Sequence, residues 1–167
     1  MHPLILALFD DPASAAAAAR DLRGLGIARE RVSVVARSHD EEGALADAGG
    51  ASPGSEIEDS AAASRLGELS GHLLAAMALV LPGIGPIVAD GPLAAGLGEA
   101  AGHIAGGIAR ALRHAGLDRA EADRWQKRIE EGAILVGAHV ERTAVPAVQA
   151  VFSSNGAAST ADATWSD

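Results

Sequence analysis

Of all residues in this sequence, two histidines, His72 and His103, are best suited by type and spacing to bind a haem or a metal ion. The chain has six histidines in all: His2, His39, His72, His103, His114 and His139. If residues 65–116 fold back on themselves near residue 87, His72 and His103 lie at the same level of the two arms. Two imidazoles facing each other in a narrow apolar cleft could be axial ligands of a haem or half of a metal site. The alternative is that each histidine lies on a helix surface or bonds a nearby carbonyl, and the protein then has no cofactor.

Patterns that would support catalysis are weak. Ser70 and His72 lie two residues apart, so on a helix they point away from each other, and Ser70 is not in the Gly-x-Ser-x-Gly turn of hydrolases. The glycines at 96, 98 and 102 miss the dinucleotide-binding spacing by one residue. The chain has no cysteine, which excludes disulfides and thiolate metal sites. We therefore expect a protein that is not an enzyme.

Charge and aromatic content argue against a nucleic-acid partner. The 167 residues carry a formal net charge of -9, whereas binding to a phosphate backbone needs clustered lysine and arginine. Only 2% of the residues are aromatic, so stacking platforms for single strands are missing as well. One domain of ordinary size is the expectation from the length.

The two ends of the chain carry the signals of a small sheet. In residues 1–37, an apolar strand at 4–9 is followed by a helix with Asp11 as N-cap and Pro12 at its first position, and then by a strand at 32–36. This order predicts a βαβ unit with a right-handed crossover.

Residues 117–153 supply the second half of the sheet. A helix begins at the capping-box pattern of Asp118 and Glu121, a strand occupies residues 133–140, and Thr143 caps a last helix. The third strand is expected to be antiparallel to the first two and to lie between them. We therefore predict an α+β fold with a small three-stranded, ferredoxin-like sheet, interrupted by an inserted helical hairpin.

Two segments outside these elements are expected to be unstructured. Residues 38–64 contain seven acidic residues and no lysine or arginine, which predicts a solvated acidic linker. Residues 154–167 are small and polar except for Trp165, so we expect a disordered tail in which Trp165 is incidental.

The middle of the chain, residues 65–116, predicts an antiparallel helical hairpin rich in glycine and alanine. The turn is expected at four residues that break a long uncharged run: Pro82, Gly83, Gly85 and Pro86. The first arm covers about residues 61–81, and the second runs from Pro92 to Gly116.

A glycine repeat marks one face of the second arm. Gly98, Gly102 and Gly106 recur at every fourth position, which lines one side of a helix with missing side chains and lets another helix approach closely. We expect this face to pack against Leu73 and Met77 or against a second copy of the chain.

These segments resemble the bacterial general-stress family of the YflT, heat-induced stress-protein type. The resemblance lies in the opening strand with its two aspartates, in the run LPGIGPIVADGPLAAGLG at 81–98 and in EEGAILVGAHV at 130–140. It covers about residues 4–152 without the acidic linker. It implies a cytosolic, stress-associated α+β protein and supplies no catalytic residues.

We therefore expect a protein that acts by self-association, with a dimer as the simplest assembly, or by binding a partner through the hairpin. A membrane-associated hairpin is the rival interpretation, because each arm is about the right length to span a bilayer. Against it, Glu99 and His103 lie within one arm and aromatic belts are missing. The opening residues lack the basic region of a signal peptide, which favours the cytoplasm.

Overall fold

The computed structural model describes residues 2–37, 77–81, 85–94, 97 and 107–165. The described strands are β1 (His2–Phe9), β2 (Val32–Arg37), β3 (Met77–Leu81), β4 (Gly85–Asp90), β5 (Ile134–His139) and β6 (Ser159–Trp165). The described helices of a full turn or more are α1 (Pro12–Gly24), α2 (Gly107–His114), α3 (Arg119–Glu130) and α4 (Val145–Ser154). The fold is α+β, as expected.

All six strands form one antiparallel sheet in the order β3-β4-β2-β5-β1-β6. The strand predicted at residues 133–140 corresponds to β5. Its predicted position is confirmed, because β5 pairs antiparallel with both β1 and β2. The predicted number of strands is wrong, because β3, β4 and β6 extend the sheet beyond those three. Strands β4 and β6 pair with the edges that a three-stranded sheet would leave open, and β3 in turn pairs with β4.

Local capping signals fix the start of two helices. The Asp11 carboxylate accepts a hydrogen bond from the Ser14 N–H at 2.9 Å, and Pro12 follows at the first helical position of α1. The Asp118 carboxylate accepts from the Glu121 N–H at 2.7 Å at the start of α3. Both caps were predicted, since each satisfies a donor that the first helical turn leaves unpaired.

The predicted cap of the last helix is wrong. Thr143 lies within a short 3₁₀ turn, Arg142–Ala144, and α4 begins after it with no side-chain cap. Pro146 lies in the first turn of α4, where a missing N–H costs no helical hydrogen bond.

Helices cover both faces of the sheet. One face buries Leu4, Leu6 and Leu8 of β1 under α2 and α3, with Trp125 among the buried residues. The opposite face buries the alternate residues of β1 under α1 and α4, where the rings of Phe9 and Phe152 meet edge to face at 6.0 Å. The sheet is therefore the middle layer of three.

The first arm of the predicted helical hairpin is wrong where the structure describes it. Residues 77–81 form β3, which pairs with β4 from Met77 opposite Ala89 to Leu81 opposite Gly85. An unbroken apolar run has no periodicity that separates a buried strand from a buried helix. The second arm is helical in its described part, at residues 92–94 and in α2, and the chain turns away at Gly116, which has a φ of 103°.

The predicted disordered tail is also wrong. Ser159–Trp165 pairs with β1 along seven residues, from His2 opposite Trp165 to Leu8 opposite Ser159. Ala161, Ala163 and Trp165 pack toward the core at every second position, which is the period of a strand. Pairing with β1 and the packing of these three residues keep the tail on the sheet.

Candidate interaction site

The structure describes three of the predicted site residues. Met77 begins β3, and Gly85 and Pro86 begin β4, so the chain reverses here as a β-hairpin instead of between two helices. The remaining predicted site residues lie outside the described part of the chain: Leu73, Pro82, Gly83, Gly98, Gly102, Gly106, His72 and His103. The predicted glycine face and the predicted ligand pair therefore remain predictions.

Strand β3 is the first of the two edges of the sheet. Its sequence, MALVL, has no charged residue, no proline and no glycine. Within the described residues it pairs with β4 on one side and with no strand on the other. An edge strand of this composition presents unpaired N–H and C=O groups to any further strand.

Strand β4 ties this edge to the centre of the sheet. It pairs with β2 from Val34 opposite Asp90 to Arg37 opposite Ile87, and Ile87 and Ala89 are buried in the core. The β3–β4 hairpin therefore extends the sheet, since its inner strand is paired on both sides.

A close approach of backbones follows directly after β4. Gly91 has a φ of 81°, and a Cβ there would lie 2.2 Å from the carbonyl oxygen of Val32. Only glycine fits both the conformation and the space. Two residues later, the Leu93 N–H donates to the Ser33 hydroxyl at 3.1 Å. Ser33 is fully buried, so its hydroxyl fixes the start of the segment that leads to the glycine repeat.

Strand β6 is the second edge of the sheet, and other parts of the chain contact it. The Thr164 N–H donates to the carbonyl of Ala115 at 2.8 Å, so this N–H faces the segment after α2 and not β1. The Gln149 amide of α4 donates to both carboxylate oxygens of Asp162, at 2.9 and 3.1 Å. The segment after α2 therefore pairs one backbone group of this edge, while Thr160, Asp162 and Thr164 remain exposed.

Trp165 packs between two histidines at the end of β6. Its ring meets His114 at 5.9 Å and His139 at 5.5 Å, both edge to face. His139 is buried, and its Nε2 lies 3.5 Å from the Ser33 hydroxyl. From the sequence alone, Trp165 is expected to be incidental, and this cluster is not predicted. Its only sequence signal is the apolar residue at every second position of 161–165.

A clustered metal site and a membrane-spanning helix are both absent from the described ranges. No group of three or more histidine, cysteine, aspartate or glutamate side chains there could hold a metal ion. None of the helices described has both the length and the apolar character needed to cross a bilayer.

Comparison of the chain with protein families, with curated proteins and with solved structures finds no match.

Proposed function

We propose that this chain is a non-enzymatic interaction protein that forms a dimer through the β3 edge of its sheet. One observation carries the proposal: of the two edge strands, β3 is the one made entirely of apolar residues, and no described strand pairs with its outer side. Pairing such an edge with a second copy satisfies the backbone groups that an edge strand leaves open.

The proposed partner is a second copy because antiparallel strands pair across a two-fold axis. In an isologous interface, the same strand serves both subunits and the assembly closes at two. With Leu79 of the five-residue strand near the axis, the two sheets would join into one continuous sheet. The glycines at 98, 102 and 106 follow the anchored segment after β4, and we include them in the proposal as a place where helices of the two copies pack closely.

The finer description of the fold is also part of the proposal. We propose that β1, α1, β2, β5, α4 and β6 form a ferredoxin-like unit into which the region between β2 and β5 is inserted. Two observations support this arrangement: these strands lie in the order β2-β5-β1-β6, and α1 and α4 pack on the same face. A cytoplasmic location and a role in stress rest on the family resemblance alone.

The test is the molar mass in solution, measured by size-exclusion chromatography with light scattering over a range of concentrations. We expect twice the chain mass of 16.7 kDa for the wild type. Leu79→Lys places a charge on the β3 edge, which is how natural proteins block edge pairing, and should give the monomer mass. Thr160→Lys is the matched control on the exposed part of β6 and should remain a dimer.

A second variant separates the edge from the glycine repeat. Gly102→Leu fills the predicted helix face and leaves β3 intact, so loss of the dimer in this variant alone would place the interface at the glycines. A wild type that remains monomeric at the highest concentration would refute the proposal. So would a Leu79→Lys variant that is folded by circular dichroism and still dimeric.

A further inference from the structure

A groove of about 290 Å³ lies beside α3, far along the sheet from the β3 edge. Leu8 of β1 and Ser159 of β6 line it from the sheet, and α3 with the residue after it supplies the other lining residues: Arg124, Trp125, Lys127, Arg128 and Glu131. The groove thus combines an apolar part, a hydroxyl and three cations in one place.

The charge of the lining is opposite to that of the whole chain. The lining contains three cations and one carboxylate, whereas the protein carries a net charge of -9. Two of these cations already face a carboxylate, Arg128 at Asp10 and Lys127 at Glu131, so the positive charge that remains to attract an anion is that of Arg124.

The three cations differ in how far they are already compensated. Arg128 pairs with Asp10 at the end of β1, and Lys127 lies 3.8 Å from Glu131 in an exposed pair. Among the residues that the structure describes, Arg124 forms no ion pair and no hydrogen bond. Its guanidinium is therefore available to an incoming anion, while Arg128 is held in place by its partner.

From this combination we infer that the groove binds a small phosphomonoester, with Arg124 as the main contact of the phosphate. A guanidinium matches a phosphate with two parallel hydrogen bonds, and Lys127 adds a point charge. Leu8 and Trp125 offer an apolar wall for a compact aromatic or aliphatic part. The volume is at the lower end of ligand sites, so the ligand carries one phosphate and one small group.

The test uses phenyl phosphate as the probe and tryptophan fluorescence as the signal. The chain has two tryptophans, so the Trp165→Phe variant leaves Trp125 in the groove as the single reporter. We expect a saturable fluorescence change with phenyl phosphate at millimolar concentration, none with phenol, and weaker binding as the salt concentration rises. Isothermal titration of the wild type should give the same dissociation constant.

Two arginines of the same helix provide the variant and its control. Arg124→Gln should weaken binding about tenfold or more, because it removes a charge-assisted contact. Arg119→Gln removes an equal charge outside the groove, where Arg119 faces Asp123 at 3.9 Å, and should change binding less than about twofold. Neither variant touches a buried residue, so both should fold.

The outcomes that overturn the inference are specific. Absence of a saturable change with phenyl phosphate would do so, and so would equal binding by the wild type and Arg124→Gln. A parallel titration with vesicles containing phosphatidic acid distinguishes a lipid phosphate from a free one. Binding to the vesicles without binding to phenyl phosphate would contradict a groove site and indicate a membrane surface instead.

Discussion

The two edges of the sheet differ in how the chain treats them. At β6, Thr164 donates to Ala115, Asp162 is held by Gln149, and Trp165 packs against two histidines. At β3, five uncharged residues pair with β4, and no other described strand pairs with them. The same sheet thus has one edge strand that is polar and contacts other parts of its own chain, and one that is apolar and pairs with β4 alone among the described strands.

The difference teaches that the two edge strands differ in composition: β6 alternates polar and small residues, whereas β3 is apolar throughout. Natural sheets protect edges with charges, prolines, bulges or covering loops. Strand β6 has an aspartate, whereas the sequence of β3 has neither a charged residue nor a proline. Selection against aggregation would remove such an edge unless it were buried, which is why we propose a second copy there.

Substitution of Gly91 should give the largest effect on the β3 side. In Gly91→Ala, the new Cβ would meet the Val32 carbonyl at 2.2 Å in a backbone conformation that alanine rarely adopts. We expect a loss of about 3 kcal/mol or more in the free energy of unfolding, measured by urea denaturation. The dimer should weaken with it, because β4 and β3 shift together.

The matched control for Gly91 lies on the β6 side. Gly156 precedes β6 with a φ of 77°, and a Cβ there would have no neighbour within 4 Å. Gly156→Ala should therefore cost only the strain of the left-handed conformation, about 1 kcal/mol. Equal losses in the two alanine variants would contradict the close approach of backbones at Gly91.

Truncation of Trp165 tests whether its ring secures the β6 edge. Trp165→Ala removes both edge-to-face contacts and part of the packing against the core, so we expect about 2 kcal/mol of destabilisation. Amide hydrogen exchange should accelerate in β6 and in the neighbouring part of β1, and remain unchanged in β4. Trp165→Phe should recover most of the protection, which distinguishes ring packing from any indole hydrogen bond.

Removal of the Ser33 hydroxyl tests the anchor of the segment after β4. Ser33→Ala deprives the Leu93 N–H of its acceptor in a fully buried position, and we expect about 1 kcal/mol of destabilisation. The Leu93 amide should exchange faster, while the exchange rates in β6 remain those of the wild type. Unchanged protection of Leu93 would show that the hydroxyl does not fix this segment.

Elements with strong local signals could be predicted from the sequence. Asp11 and Asp118 are followed by residues that their carboxylates cap, and the β-branched run of β2 and the apolar run of β5 are bounded by turn residues. The position of β5 between β1 and β2 also follows from the sequence, since such an apolar strand is disfavoured at an edge. These features need only neighbouring residues and the order of the elements.

The two edges could not be predicted, because they depend on what the rest of the sheet leaves open. Met77–Leu81 is as apolar as a buried helix, so its composition does not separate a helix from a strand. It forms a strand because β4 pairs with the open side of β2 and then offers its own outer side to β3. Residues 159–165 have low apolar content, and pairing with β1 orders them. The sequence shows the charges of α3 that belong to the proposed phosphate site. It does not show that they lie near Leu8 and Ser159, because these two residues are far from α3 and from each other in the chain.

The smallest effect is expected at Asp11, which lies away from both edges and sets a baseline for them. Hydrogen bonds from the Ser14 hydroxyl and N–H lower the pKa of the Asp11 carboxyl below its ordinary value. The stabilisation is therefore complete above the ordinary aspartate pKa of about 3.9 and is lost as the pH falls through the lower pKa of the folded state. Asp11→Ala should lower the urea midpoint at pH 7, and its difference from the wild type should shrink in acid.

Asp11→Asn retains a capping oxygen and should remain close to the wild type at pH 7. Neither variant should alter the dimer mass or exchange in β6, and a change in either would mean that helix α1 and the edges are coupled.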